Sequence, residues 1–203
     1  MNTKLVKVEK EYPDLQIMKE AGEILKNGGL VAFPTETVYG LGGDGLNARS
    51  SEKIYTAKGR PSDNPLIIHI ADMESLNKIV RQIPEKAKLL AEKFWPGPLT
   101  MIFQKSSEVP YETTGGLESV AVRMPNHPVA LALIQAGGGY IAAPSANTSG
   151  RPSPTKAEHV AEDLSGRIDM IVDGGDVGIG LESTIVDFTE DIPVILRPGY
   201  INQ

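Results

Sequence analysis

The stretch VAFPTETVYGLGGDG, residues 31–45, decides how the chain is read. Within it, Gly40-Leu41-Gly42-Gly43-Asp44-Gly45 satisfies the G-x-G-x-x-G pattern of dinucleotide-binding folds. That pattern carries its meaning only when a single strand precedes the glycines, a helix opens inside the turn, and an acidic residue closes a compact βαβ unit. Here two strand-like runs, LVAFP and TVYGL, precede the glycines, and the next helix signal waits until Ser50. Adjacent strands argue against a doubly wound parallel sheet, and the glycines are expected to bend the chain around a pocket. A Walker A sequence is absent as well.

Outward from this stretch, strand and helix signals alternate irregularly. Residues 15–27 place Leu15, Met18, Ala21, Ile24 and Leu25 on one helical face, and Gly28-Gly29 ends the helix. Ser50-Ser51 are expected to cap a short helix that runs through Lys58 and stops at Gly59. PLIIHI, LTMIF, SVAVRM, YIAAP, DMIVD, STIVDF and PVILR read as strands. MESLNKIV, PEKAKLLAEKF, HPVALALIQA and TKAEHVAEDL read as helices, and Thr155 with Glu158 forms a capping-box pattern ahead of the last. Two adjacent strand pairs among the alternation predict an α/β fold with a twisted mixed sheet and flanking helices.

No repeat, long linker or composition break divides the 203 residues, so one domain is expected over 1–203. Charged residues make up 23% and hydrophobic ones 40%, the balance of a globular chain with a buried core. The absence of cysteine excludes disulfides, thiolate metal sites and cysteine nucleophiles, and is compatible with a cytoplasmic location. The N-terminus lacks the apolar core of a signal peptide, and no apolar run approaches the roughly 20 residues of a membrane helix. With a formal net charge of -6, an anionic ligand must be held by local positive charge.

Local positive charge occurs in AKGRPSDNPLIIH, where Lys58 and Arg60 are two residues apart and Asn64 and His69 follow. A helix C-terminus explains Lys58 and Gly59, but not the second cation and the Asn-Pro turn. A lysine point charge and an arginine fork on a glycine-flexed turn suit a polyphosphate, and both readings stay open. Arg123 interrupts the apolar run SVAVRM, which is costly unless the guanidinium is paired or faces a wet cleft. A structural pair with an acid and a fork for a ligand carboxylate are equal alternatives there. APSANTSGRPSPT, residues 143–155, packs hydroxyls and an amide among prolines at the end of a strand, where open α/β sheets place ligands. His69, His127 and His159 share no metal-ligand spacing, so no metal ligands are assigned. No Ser-His-Asp order or nucleophile elbow appears. A set rich in cations and hydroxyls but without a nucleophile suits chemistry by positioning and charge neutralisation.

Taken in order, PTETVYGLG, KGRPSDNPLIIHI, WPGPLT, VAVRMPNHP, APSANTSGRPSPT, ESTIVD and LRPG resemble the YrdC/TsaC family, the threonylcarbamoyl-AMP synthases. The resemblance spans residues 34–199, with Lys58-x-Arg60 and Ser145-x-Asn147 as its signature. It implies the YrdC-like fold around a large, positively lined cavity. It also implies a nucleotidyltransferase that makes threonylcarbamoyl-AMP and pyrophosphate from L-threonine, bicarbonate and ATP, with Mg²⁺ arriving on the triphosphate. A tRNA-modifying partner would then carry the threonylcarbamoyl group to tRNA, itself a further partner; no membrane is involved.

By the same resemblance, Thr37, His69, Arg123, Ser183 and the backbone near Ala143 would line a threonine pocket. Lys58, Arg60, Asn64, Ser119, Ser145, Ser153 and Arg197 would hold ATP, with Asn147 beside its phosphates. Lys58 and Arg60 would carry the catalytic charge by offsetting that building on pyrophosphate. The chain ends just past LRPG and so resembles the short form of the family, without the linker and second domain of longer relatives. Two alternatives stand beside this reading. One is a carbamoyl-adenylate-forming domain like that of hydrogenase-maturation proteins. The other is a double-stranded-RNA- or tRNA-binding module without catalysis, which the net charge of -6 disfavours.

Overall fold

The computed structural model describes residues 2–202. In chain order its strands are Lys4–Lys7 (β1), Val31–Pro34 (β2), Tyr39–Asp44 (β3), Ile67–His69 (β4), Leu99–Gln104 (β5), Ser119–Arg123 (β6), Ile141–Ala142 (β7), Met170–Asp173 (β8), Thr184–Asp187 (β9) and Val194–Arg197 (β10). The helices are Leu15–Lys26 (α1), Ala48–Lys58 (α2), Leu76–Ile79 (α3), Glu85–Phe94 (α4), Tyr111–Thr114 (α5), Pro128–Ala136 (α6) and Ala157–Leu164 (α7). The strands form one ten-stranded sheet in the order β1-β8-β2-β3-β7-β4-β6-β5-β9-β10. Pairing is parallel at β1–β8, β2–β8, β4–β6 and β5–β9, and antiparallel elsewhere, as a mixed sheet requires.

The opening stretch forms the antiparallel pair β2–β3, with Val31 opposite Gly42 and Pro34 opposite Tyr39. Of its glycines only Gly45 lies in a turn, and the other three do not bend the chain. Gly40, Gly42 and Gly43 lie within β3, and a Cβ at Gly42 would come within 2.9 Å of both Phe33 and Ile141. They are small because neighbouring side chains occupy the space over the strand.

Two helix starts also differ from the sequence expectation. Asn47, not Ser50, caps α2, its side chain accepting from the Arg49 N–H, and both serines lie buried inside the helix. The Thr155–Glu158 capping box does not form; α7 begins at Ala157 with no side-chain cap. By contrast, the end of α2 is as read, with Gly59 in the left-handed region at φ 62°. β1 escapes sequence reading because its short Lys-Leu-Val-Lys pattern is half charged, which is how exposed edge strands are kept from pairing further.

On one face, α1 and α6 pack over the β2–β8 part of the sheet. Met18, Ala21 and Leu25 of α1 are buried against Val129, Leu133 and Ile134 of α6, while Leu15, expected on that face, is 78% exposed. The helices approach so closely that a Cβ on Gly22 would sit 2.5 Å from the Ala136 backbone. Farther along the sheet, β4, β5, β6 and β9 alternate. Ile68, Val120, Val122, Met101, Phe103 and Val186 face a core closed by α3 and α4, with Leu76, Ile79, Ala87 and Ala91. The residues between them point to the opposite face, where the site lies.

The Gly22 contact yields a test. Gly22→Ala gains about 1 kcal/mol of helix propensity, yet overpacking costs roughly 1–3 kcal/mol. Denaturant unfolding should therefore show a net loss, with an unchanged slope; a net gain would mean the helices can part without cost.

Candidate functional site

Alternation along four neighbouring strands builds the floor of a cavity of about 260 Å³. Ile67 and His69 come from β4, Ala121 and Arg123 from β6, Ile102 from β5 and Ile185 from β9. Thr35, Thr37 and Val38, from the β2–β3 connection, form one wall, and Ala143, Pro144 and Ser145 another. Arg60, Asn64 and Pro65, with Glu182, Ser183 and Arg197, complete the lining. Three guanidiniums against one carboxylate make the lining positive. The enclosed volume is smaller than the expected large cavity and lies just below the roughly 300–1,000 Å³ of typical ligand sites. A wider groove of about 1580 Å³ runs between α1 and α2 but contains none of the predicted residues.

At the deep end, Arg123 is 5% exposed and its guanidinium is held on three sides. Nε donates to the Gly97 carbonyl (3.3 Å), Nη1 to the Thr37 hydroxyl (3.0 Å) and Nη2 to Glu36 Oε1 (2.5 Å). Both sequence alternatives for Arg123 therefore meet. It is paired with an acid, yet of its five N–H groups one remains on each Nη.

Proton directions can be followed from there. The Thr35 hydroxyl donates to the Val38 carbonyl (2.7 Å) and accepts from the Thr37 and Val38 N–H groups (3.2 and 3.3 Å), with Thr37 Oγ1 3.0 Å away. Thr37 Oγ1 accepts from Arg123 and keeps a second lone pair for a ligand. His69 lies 3.2 Å from the Ile67 carbonyl through Nδ1, which must carry the proton. Burial, then the nearby Arg123 charge, pushes its pKa down to about 3, so the ring is neutral at pH 7 and Nε2 is an acceptor. The Ala143 N–H already donates to Ile67 O (2.9 Å), leaving its carbonyl for a ligand. This end therefore presents two donors on one guanidinium and three separate acceptors.

Across the cavity, Arg197 donates through Nε and Nη2 to the Ser183 carbonyl (3.1 and 2.8 Å), and Ser183 Oγ lies 2.7 Å from Thr100 Oγ1. Ser153 donates to Glu182 Oε1 (2.7 Å), and this bond holds the Glu182 carboxyl below the usual range against the opposing effect of burial.

Nine of the thirteen sequence-predicted residues line the cavity: Thr37, Arg60, Asn64, His69, Arg123, Ala143, Ser145, Ser183 and Arg197. Four stand off its lining. Ser119 is on β6 two residues before Ala121 and shares its face. Ser153 lies behind Glu182. Lys58 is buried, with Nζ donating to the Ser145 and Asn147 carbonyls at 2.5 Å each, while its own carbonyl accepts from Ser149 N–H (2.8 Å). In this structure Lys58 stitches the 145–149 loop to the end of α2 and does not face the cavity. Asn147 turns its amide N–H groups onto the Thr148 and Arg151 carbonyls, leaving Oδ1 buried without a partner. Glu36, Thr35 and Glu182 are site residues that sequence reasoning missed; the demand of Arg123 for an acid was the only signal for Glu36.

Residues 23–199 match the family model Sua5/YciO/YrdC, described as telomere recombination. The chain belongs to the Sua5/YciO/YrdC family. Over 197 residues it is 55% identical to the threonylcarbamoyl-AMP synthase of Pyrococcus abyssi, covering 97% of this chain and 58% of that protein. It is 59% identical to the enzyme of that name from Bacillus subtilis, covering 91% of this chain and 54% of that protein. The solved structure of P. abyssi Sua5 complexed with L-threonine superposes with a TM-score of 0.94 at 54% identity, covering 97% of this chain and 58% of that one. The chain thus spans little more than half the length of these relatives. The ten-stranded mixed sheet is the fold of this family. Among the described residues no helix is long and apolar enough to cross a membrane, and no three His, Asp or Glu side chains cluster as for a metal.

Lys58 gives this family member a pH signature. Burial, reinforced by Arg60, pushes its pKa down to about 8 from an ordinary 10.5. Below pH 8 both folded and unfolded states carry the proton, and the folded state bears the cost of burying it. Between pH 8 and 10.5 the unfolded state holds more protons, so this group's contribution to stability rises with pH, by at most about 3 kcal/mol. Two N–H groups survive deprotonation, enough for both carbonyls. Chemical denaturation across this range should show wild type gaining on Lys58→Met; parallel curves would contradict the shifted amine.

Proposed function

We propose that the chain forms L-threonylcarbamoyladenylate and pyrophosphate from L-threonine, bicarbonate and ATP. The observation that carries this reading is that a single lining joins two sets of groups, one suited to an amino acid and one to an anion. In the first, Arg123 offers a fork for a carboxylate, and the Thr37 lone pair and Ala143 carbonyl accept from an amine. His69 Nε2 accepts from a side-chain hydroxyl. Valine has the shape of threonine without that hydroxyl and would leave Nε2 unpaired, a mismatch that hydrogen-bonding sites reject strongly. The names of the relatives, and the threonine complex of one of them, support the same assignment.

In the second set, Arg60 and Arg197 would supply positive charge for a triphosphate, with Asn64 and Ser145 in the same lining. Ile102, Ala121 and Ile185 give an apolar surface on which a base can lie, and Ser119 continues it along β6. Ser153 orients Glu182. Lys58 fixes Ser145 and Asn147 from behind. Glu182 is a hard oxygen donor that fits Mg²⁺ entering with ATP and keeping most of its waters.

The reaction needs no protein nucleophile. The threonine amine adds to bicarbonate carbon, water leaves, and the resulting carbamate keeps one N–H for Thr37 or Ala143. A carbamate oxygen attacks the α-phosphorus of ATP, its bond to the bridging oxygen breaks, and pyrophosphate departs beside Arg60. Positioning and charge neutralisation supply the rate, and the enclosed end protects a carbamate and a mixed anhydride from water. Transfer of the threonylcarbamoyl group to tRNA would belong to a partner system.

The purified chain, given ATP and bicarbonate with each amino acid in turn, should form an acyl-adenylate with threonine alone. Arg123→Lys, which keeps the charge and loses the fork, should lower kcat/KM for threonine by about 100-fold or more, on the order of 3 kcal/mol of transition-state binding. ATP turnover indifferent to threonine would overturn the reading.

A further inference from the structure

We propose that Glu36 is a positioning residue for the carboxylate fork, fixing the plane of Arg123 so that its two free N–H groups face the cavity. The inference rests on the proposed function for the identity of the ligand, but its geometry is independent. Glu36 lies in the β2–β3 connection between two threonines that line the cavity, yet it does not line the cavity itself. Its carboxylate meets Nη2 from the protein side and so does not occupy the place of a ligand carboxylate.

The three acceptors on Arg123 come from three directions: the Gly97 carbonyl on Nε, the Thr37 hydroxyl on Nη1 and Glu36 on Nη2. Gly97 and Thr37 alone would leave the Nη2 end of the guanidinium free to tilt about the Nε–Nη1 edge. Glu36 removes that freedom. Thr37 cannot compensate, because it engages Nη1 and its position is set by the same turn. Glu36 Oε2 is buried and makes no hydrogen bond, so only one oxygen of this carboxylate orients the guanidinium. The negative charge has a separate task. Arg123 is nine-tenths buried and near enough to Arg197 to depress its pKa after the larger effect of burial, and Glu36 supplies the countercharge.

Orientation and charge can be separated by substitution. Glu36→Gln keeps an acceptor for Nη2 and drops the charge; Glu36→Asp keeps the charge and withdraws the acceptor by one methylene; Glu36→Ala removes both. Calorimetric titration with L-threonine, L-threoninamide and ATP, together with thermal unfolding, reads the outcome. Glu36→Ala, or Glu36→Asp should the alanine variant not fold, is expected to weaken threonine binding at least tenfold. ATP affinity should stay within twofold, and the preference for threonine over threoninamide should collapse. Glu36→Gln is expected to lower Tm while binding threonine within threefold of wild type. The assignment is overturned if Glu36→Asp binds threonine as wild type does, if Glu36→Gln loses as much threonine affinity as Glu36→Asp, or if threonine, threoninamide and ATP weaken together. A wild-type chain that binds no threonine overturns the proposed function instead.

Discussion

Everything in the site depends on the two-residue period of an extended strand. β4, β6, β5 and β9 are neighbours in the sheet, and each sends alternate side chains to opposite faces. Ile68, Val122, Met101 and Val186 are covered by α3, α4 and their own cluster, which anchors the strands in register. The intervening His69, Arg123, Ile102 and Ile185 must then share the other face. A slip of one residue in β4 would bury His69 in that core and lift Ile68 out of it, and a slip in β6 would do the same with Arg123 and Val122. Core packing and site assembly are therefore one constraint. The position of Arg123 is fixed by Val120 and Val122 as much as by any polar contact.

That constraint explains what is legible in the sequence. Strand runs with a polar residue at one alternate position, such as PLIIHI and SVAVRM, announce both a strand and the residue it will present. His69 and Arg123 are accordingly visible in the sequence alone. The mixed sheet follows from adjacent strand signals. Less legible is anything depending on who stands opposite whom. The β3 glycines read as a bend because their cause lies in Phe33 and Ile141, the latter a hundred residues away. The Asn47 cap is hidden because Ser50-Ser51 offer the same chemistry three residues later; the Asn47 backbone is the extended one, at φ -113° and ψ 111°, as a cap must be.

Lys58 shows the same limit at a functional position. Sequence chemistry places a cation next to Arg60 at the end of a helix, and a cation there suits phosphate. The fold brings the Ser145–Asn147 carbonyls to the same point, and carbonyls compete for the ammonium. Three stitches between residues 58 and 145–149 join two segments that are nearly ninety residues apart. Paired motifs of this kind, Lys58-x-Arg60 with Ser145-x-Asn147, can mark a mutual contact as readily as a shared ligand. In this structure Arg60 and Ser145 face the cavity, while Lys58 holds the loop that carries Ser145.

The hydroxyl chain at the other end makes the strongest case for a built-in polarity. Thr35, held by the Val38 carbonyl and by two N–H groups of its own turn, fixes the place of Thr37, whose Oγ1 accepts from Arg123 and keeps a lone pair towards the cavity. The neutral His69 is likewise an acceptor, because its Nδ1 proton is used on Ile67. A guanidinium fork beside the acceptors of Thr37, Ala143 and His69 is suited to distinguish the ends of a zwitterion. It can take a carboxylate at the guanidinium, and only a group with N–H or O–H elsewhere. Reversing the molecule would set carbonyl and hydroxyl lone pairs against a carboxylate and an ammonium against a guanidinium, each a desolvated repulsion. On the proposed reading, the amine would face the lone pairs of Thr37 and Ala143 rather than the guanidinium, which keeps it apart from the carboxylate that the fork takes.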